Sequence, residues 1–110
     1  MGIEKLITVL LNDIVYYLLV KGAHLISTEI VSLNKDFHIL IEANLDVTTD
    51  ILRDLDIMKK IKDHPELKYY GALGEQIGSL NGMYSIAPYI SKIDFQVENE
   101  VLKLEIFVRK

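Results

Sequence analysis

Residues 92–109 read Lys-Ile-Asp-Phe-Gln-Val-Glu-Asn-Glu-Val-Leu-Lys-Leu-Glu-Ile-Phe-Val-Arg, and their alternation decides the fold. Ile93, Phe95 and Val97 take one side against Lys92, Asp94, Gln96 and Glu98. After a turn at Asn99-Glu100, Leu102, Leu104, Ile106 and Val108 face inward against Lys103, Glu105 and Arg109. Successive side chains of a strand point to opposite faces, so a period of two means one buried face and one wet face. That is the pattern of antiparallel, half-exposed strands. Upstream, Ile26, Thr28 and Ile30 alternate with Ser27, Glu29 and Val31. Phe37, Ile39, Ile41 and Ala43 alternate with His38, Leu40 and Glu42. Asn34-Lys35-Asp36 between them is turn chemistry, which makes a second antiparallel hairpin. The hairpins at 25–43 and 90–108 predict a four-stranded, largely antiparallel sheet.

The remaining segments supply helices. From Ile3 to Val20 the polar positions Glu4, Lys5, Thr8, Asn12 and Asp13 form a narrow stripe, and nearly everything else is apolar. A helix apolar most of the way round is covered on more than one side, by the sheet and by a second helix or a partner chain. Gly22 suits the left-handed residue that ends such a helix. Thr48 or Thr49 can cap a second helix running to about Lys62, with Ile51, Leu55, Met58 and Ile61 or Lys62 on successive turns. Its acids (Asp50, Asp54, Asp56) lie early and its lysines late, as the helix dipole prefers. Pro65 stops that helix and suits the first position of a third, with Asp63 or His64 as cap. The expected order is α-β-β-α-α-β-β, an α/β (α+β) two-layer sandwich with about three helices. Residues 1–110 form one domain.

Composition removes several function classes. The chain has 110 residues, half of them hydrophobic and a quarter charged, which is the composition of a globular domain. There is no cysteine, hence no disulfide framework, thiolate zinc site or cysteine nucleophile, and the reading is a cytoplasmic protein. A net charge of −4 argues against binding a phosphate backbone, with Lys59, Lys60 and Lys62 the one dense basic run. Ile3–Val20 is broken by Glu4, Lys5, Asn12 and Asp13 and lacks the basic start of a signal peptide, so it reads as a soluble helix and not as a membrane span.

The candidates for chemistry are sparse. His24, His38 and His64 are dispersed and lack the converging spacing of metal ligands. Asp50 and Asp54 lie one turn apart, but acids are welcome at a helix start, and both read as residues of a solvated face. No Gly-x-Ser-x-Gly elbow is present. Gly71, Gly74, Gly78 and Gly82 are close together; glycine lets backbone amides approach phosphate. The segment is neither Gly-x-Gly-x-x-Gly nor a Walker loop, and no lysine or arginine stands between Tyr69 and Ser91.

With these elements placed, the layout resembles the histidine-kinase-type ATPase domain (the GHKL or Bergerat fold), in particular its small anti-sigma-factor-kinase members. In that family a helix bearing Glu-x-x-x-Asn precedes a glycine and a strand, another strand ends in Asp-x-Gly, and a glycine-rich helix start precedes a closing hairpin. Here Asp13-Ile-Val-Tyr-Tyr17 precedes Lys21-Gly22. Ile39-Leu-Ile-Glu-Ala-Asn-Leu45 stands at the Asp-x-Gly strand, Gly74, Gly78 and Gly82 at the glycine box, and residues 93–108 at the closing hairpin.

The resemblance implies where ligands would sit, and the residues depart from the family there. Asp13 stands at the catalytic base, one methylene shorter. Tyr17 takes the place of the asparagine that holds magnesium, and a phenol is a poor ligand for that hard cation. Ala43 stands where the adenine-reading aspartate belongs, and Leu45 replaces its glycine. The expectation is a pseudo-ATPase-like scaffold of the bacterial regulatory kind. It would be a non-catalytic binding module that takes no cofactor and no ATP, and that contacts a protein partner or a second copy through the first helix. The alternative is a weak ATPase or kinase using Asp13 and the 71–82 glycine segment.

Overall fold

The structure, a computed structural model, describes residues 2–61, 63 and 86–110. The elements are α1 (Ile3–Val20), β1 (Leu25–Ser32), β2 (Asp36–Asn44), α2 (Thr49–Ile61), a 3-10 turn (Ala87–Tyr89), β3 (Ile90–Glu98) and β4 (Val101–Arg109). The four strands form one sheet in the order β1-β2-β4-β3, and every neighbouring pair is antiparallel. The fold is thus α+β with an open sheet, as the two alternations imply. Among the described residues there are two α-helices and not about three, and the last element before β3 is the short 3-10 turn. The helix expected after Pro65 and the 71–82 glycine segment lie outside the described residues.

The register explains the core. β2 and β4 are the inner strands, and their inward residues meet in rows: Ile39 opposite Ile106, Ile41 opposite Leu104, Ala43 opposite Leu102. All six are at most 2% exposed. Onto this face α1 lays Leu6, Ile7, Leu10, Ile14, Tyr17 and Leu18, and α2 lays Ile51, Leu55, Met58 and Ile61. These side chains form one hydrophobic cluster with the sheet. Each fully buried aliphatic side chain stabilises by about 1.5–3 kcal/mol relative to exposure, so this layer is the main favourable contribution.

Local chemistry sets the ends. Thr48 caps α2, its Oγ1 accepting from the Ile51 N–H at 3.4 Å. After α1 the Ala23 N–H donates to Leu18 O and the Gly22 N–H to Leu19 O, with Gly22 at φ +95; this is a Schellman stop. The β3–β4 turn places both Asn99 (φ 50) and Glu100 (φ 65) in the left-handed region, as a two-residue type I′ hairpin requires. In β3 the register slips between Ile90 and Lys92. Ser91 is the extra residue, and that bulge lets both Ile90 and Ile93 point inward although an odd number of positions separates them.

The first helix is covered less fully than its composition suggests. Val9, Leu11 and Val15 are half-buried, but Tyr16, Leu19 and Val20 are each more than half exposed. β1 is open as well: every residue except Ile26 is exposed.

Candidate functional site

Among the described residues, two buried polar side chains meet between α1 and α2. Tyr17 is carried on the inner stripe of α1, three residues beyond Ile14, and its ring is 2% exposed. Its hydroxyl donates to Asp54 Oδ2 at 2.6 Å. Asp54 is itself 3% exposed, which corrects the reading of that residue as part of a solvated face. Position 54 follows Ile51 by three and precedes Met58 by four, so helical geometry aims it inward; Asp50 remains exposed. A buried carboxylate requires partners. Besides the phenol, Asp54 has Arg53, whose Nη2 lies 3.6 Å from Oδ1; Arg53 Nη1 is 3.7 Å from Asp50 Oδ1. Lys21 Nζ lies over the Tyr17 ring, 5.7 Å from its centroid.

The electrostatics follow from burial. Desolvation, and then the hydrogen bond to Asp54, push the Tyr17 hydroxyl well above the ordinary phenol range. Tyr17 therefore stays protonated and donates. A group so far from the working pH is neither a base nor a ready nucleophile. The pair joins two helices in a fixed register.

The other expected positions are distributed around this bond. Asp13 is half-buried, one turn before Tyr17 on α1. Ala43 is 1% exposed on the inward face of β2, opposite Ile26 of β1 and Leu102 of β4. Leu45 is buried too. Gly74, Gly78, Gly82 and His64 lie outside the described residues. No group of three or more His, Cys, Asp or Glu side chains among the described residues could hold a metal ion. No described helix is long and apolar enough to cross a membrane.

The face of the sheet away from the helices carries a second polar group. The His38 ring stacks on Phe107 with centroids 4.4 Å apart and planes 3° from parallel. His38 Nε2 lies 3.0 Å from Glu105 Oε2, and Lys103 Nζ lies 3.9 Å from Glu42 Oε1. Sequence placed His38 on the polar face but not beside Phe107, because the β2–β4 register brings together residues far apart in the chain. At the far edge, Lys59 of α2 pairs with Asp94 of β3 at 3.2 Å. That hydrogen bond and the Phe95 N–H hold the Asp94 carboxyl below its usual range.

No family model, curated protein or solved structure matches this chain.

Proposed function

We propose that this protein is a non-catalytic binding or regulatory module of the cytoplasm, built on a degenerate histidine-kinase-like scaffold. It engages a protein partner through the uncovered last turn of α1, where Tyr16, Leu19 and Val20 are exposed. The observation that carries this reading is the commitment of Tyr17. At the position where the resemblance expects a magnesium ligand, the phenol is buried and bonded to Asp54, and its raised pKa keeps it from becoming the anionic oxygen a hard cation prefers. Ala43, at the adenine-reading position, brings a methyl group that is 1% exposed on the inward face of β2.

A thermal-shift titration with millimolar ATP, ADP and magnesium tests this. A ligand that binds only the folded state adds about 2.7 kcal/mol at 100 times its Kd, worth several degrees for a domain of this size. The expected result is no shift. A shift of several degrees that Asp13→Asn abolishes would overturn the proposal. It would establish the alternative, a nucleotide-binding protein with Asp13 at its base position and the 71–82 glycine segment near phosphate.

A further inference from the structure

The two edges of the sheet are treated differently. β3 carries the devices that discourage strand addition: the bulge at Ser91, and charged Lys92 and Asp94, the latter held by Lys59 from α2. β1 has no bulge and no charge held by a helix. It pairs with β2 without a register shift from Leu25 to Ser32, contains no proline or lysine, and has Glu29 as its single charge. Leu25, Ile30 and Val31 are 58%, 47% and 39% exposed. An exposed, regular edge with a single charge is a template for another strand.

The backbone phase of this edge follows from the hairpin. Leu33 and Asp36 face each other across the turn, and the Leu33 N–H donates to Asp36 O at 2.8 Å. Bonded and non-bonded pairs alternate in an antiparallel ladder. The odd residues 25–31 therefore spend their N–H and C=O groups on β2, and Ile26, Thr28 and Ile30 direct theirs outward. The apolar side chains mirror one another about Thr28, Leu25 and Ile26 before it against Val31 and Ile30 after it, with Ser27 mirrored by Glu29.

We propose that β1 pairs with β1 of a second copy, antiparallel about a two-fold axis at Thr28, giving a continuous eight-stranded sheet. Thr28 then exchanges both backbone hydrogen bonds with its symmetry mate, and Ile26 does so with Ile30. On one face Ile26 meets Ile30; on the other Leu25 meets Val31, and Glu29 meets Ser27. Neighbouring registers lose this match. Centring on Glu29 sets two carboxylates opposite each other, and centring on Ser27 sets Leu25 against Glu29, and such contacts destabilise a sheet. The two helical layers fall on the same face of the joined sheet. The proposal does not depend on whether the protein binds nucleotide or on what docks at α1.

Sedimentation equilibrium over a concentration series, followed by single cysteine substitutions, tests it. The wild-type chain is expected to pass from monomer to dimer with rising concentration. Thr28→Lys sets like charges opposite each other and should raise the dimer Kd at least about tenfold. Mixing Thr28→Lys with Thr28→Glu should restore a heterodimer. Native circular dichroism shows that each variant is folded. Because the chain lacks cysteine, Thr28→Cys should give a covalent dimer on mild oxidation, its Cα atoms lying about 5.5 Å apart in a bonded pair. Ser27→Cys should not, since it is offset from itself by about 7 Å along the strand before the strand spacing is added. A monomer at every concentration, a dimer indifferent to Thr28→Lys, or cross-linking that favours Ser27→Cys would overturn the proposal.

Discussion

The hydroxyl of Tyr17 and the carboxylate of Asp54, 37 positions apart in the chain, meet at 2.6 Å in the seam between α1 and α2. Both side chains are almost wholly removed from water, so each is satisfied largely by the other. Removing one partner leaves a buried group without its hydrogen bond, Arg53 being Asp54's remaining partner, whereas replacing both removes the requirement. Tyr17→Phe is expected to lower stability by about 1–3 kcal/mol. The double variant Tyr17→Phe/Asp54→Leu should recover most of that loss, even though it removes more polar atoms. Urea midpoints at constant slope measure both. A double variant as unstable as the sum of its parts would mean that the bond is not the coupling between the helices.

The same bond sets an alkaline limit. The folded Tyr17 pKa is raised above that of the unfolded phenol, about 10. The stabilisation from its protonated form is present in full below pH 10 and declines as pH rises beyond it, because the unfolded chain then loses a proton that the folded chain keeps. Of the six tyrosines, Tyr17 is expected to ionise only as the fold opens. In an ultraviolet titration the wild type should show a late phenolate step coincident with loss of the circular dichroism signal. Tyr17→Phe should lack that step. A Tyr17 that titrates near pH 10 in the folded state would contradict the burial argument.

The sequence disclosed what local chemistry controls and concealed what only distant partners decide. Ile93 to Val108 alternate so regularly that their strands, their turn and their inward face could all be read off, and Gly22 marked the end of α1 for the same local reason. The bulge at Ser91 could not be read that way, because Ile90 alone breaks the parity and a single odd position is ambiguous. The burial of Asp54 escapes the sequence pattern for a different reason. Its burial depends on a phenol carried by another helix, although its place between Ile51 and Met58 on the inner stripe was a signal available in the spacing. The contacts of His38 with Phe107 and Glu105 required the β2–β4 register, which no local pattern specifies.

Two backbone positions in the left-handed region give predictions of opposite sign. At Gly22, φ is +95 and an added Cβ would meet nothing within 4 Å. Gly22→Ala should therefore cost about 1 kcal/mol from conformation alone, with no clash. At Glu100, φ is 65 and the residue already bears a side chain. Glu100→Gly relieves that strain and keeps the backbone carbonyl that accepts from the Leu45 N–H. A gain of about 0.5–1 kcal/mol is expected after the extra freedom of glycine in the unfolded chain is counted. Thermal melts of the two variants should shift in opposite directions. Shifts of the same sign would show that one of the turns is not built as described.

Ala43 offers the most direct test of the proposed loss of ligand positions. If β2 still opened onto a nucleotide pocket at this point, an aspartate there would find water and could regain a ligand. In the structure the methyl group is 1% exposed, with Ile26 and Leu102 opposite it and no polar partner described there. Ala43→Asp would place an unpaired carboxylate inside the core, at a cost of about 3–5 kcal/mol, or force it to stay protonated. The expected variant is largely unfolded at neutral pH, gains stability as pH falls toward the carboxyl range, and is not rescued by ATP with magnesium. Urea unfolding at pH 7 and pH 5, with and without nucleotide, reads all three outcomes. A variant as stable as wild type that ATP stabilises further would mean that position 43 faces a cavity. The scaffold would then have to be read as a nucleotide site lacking one residue.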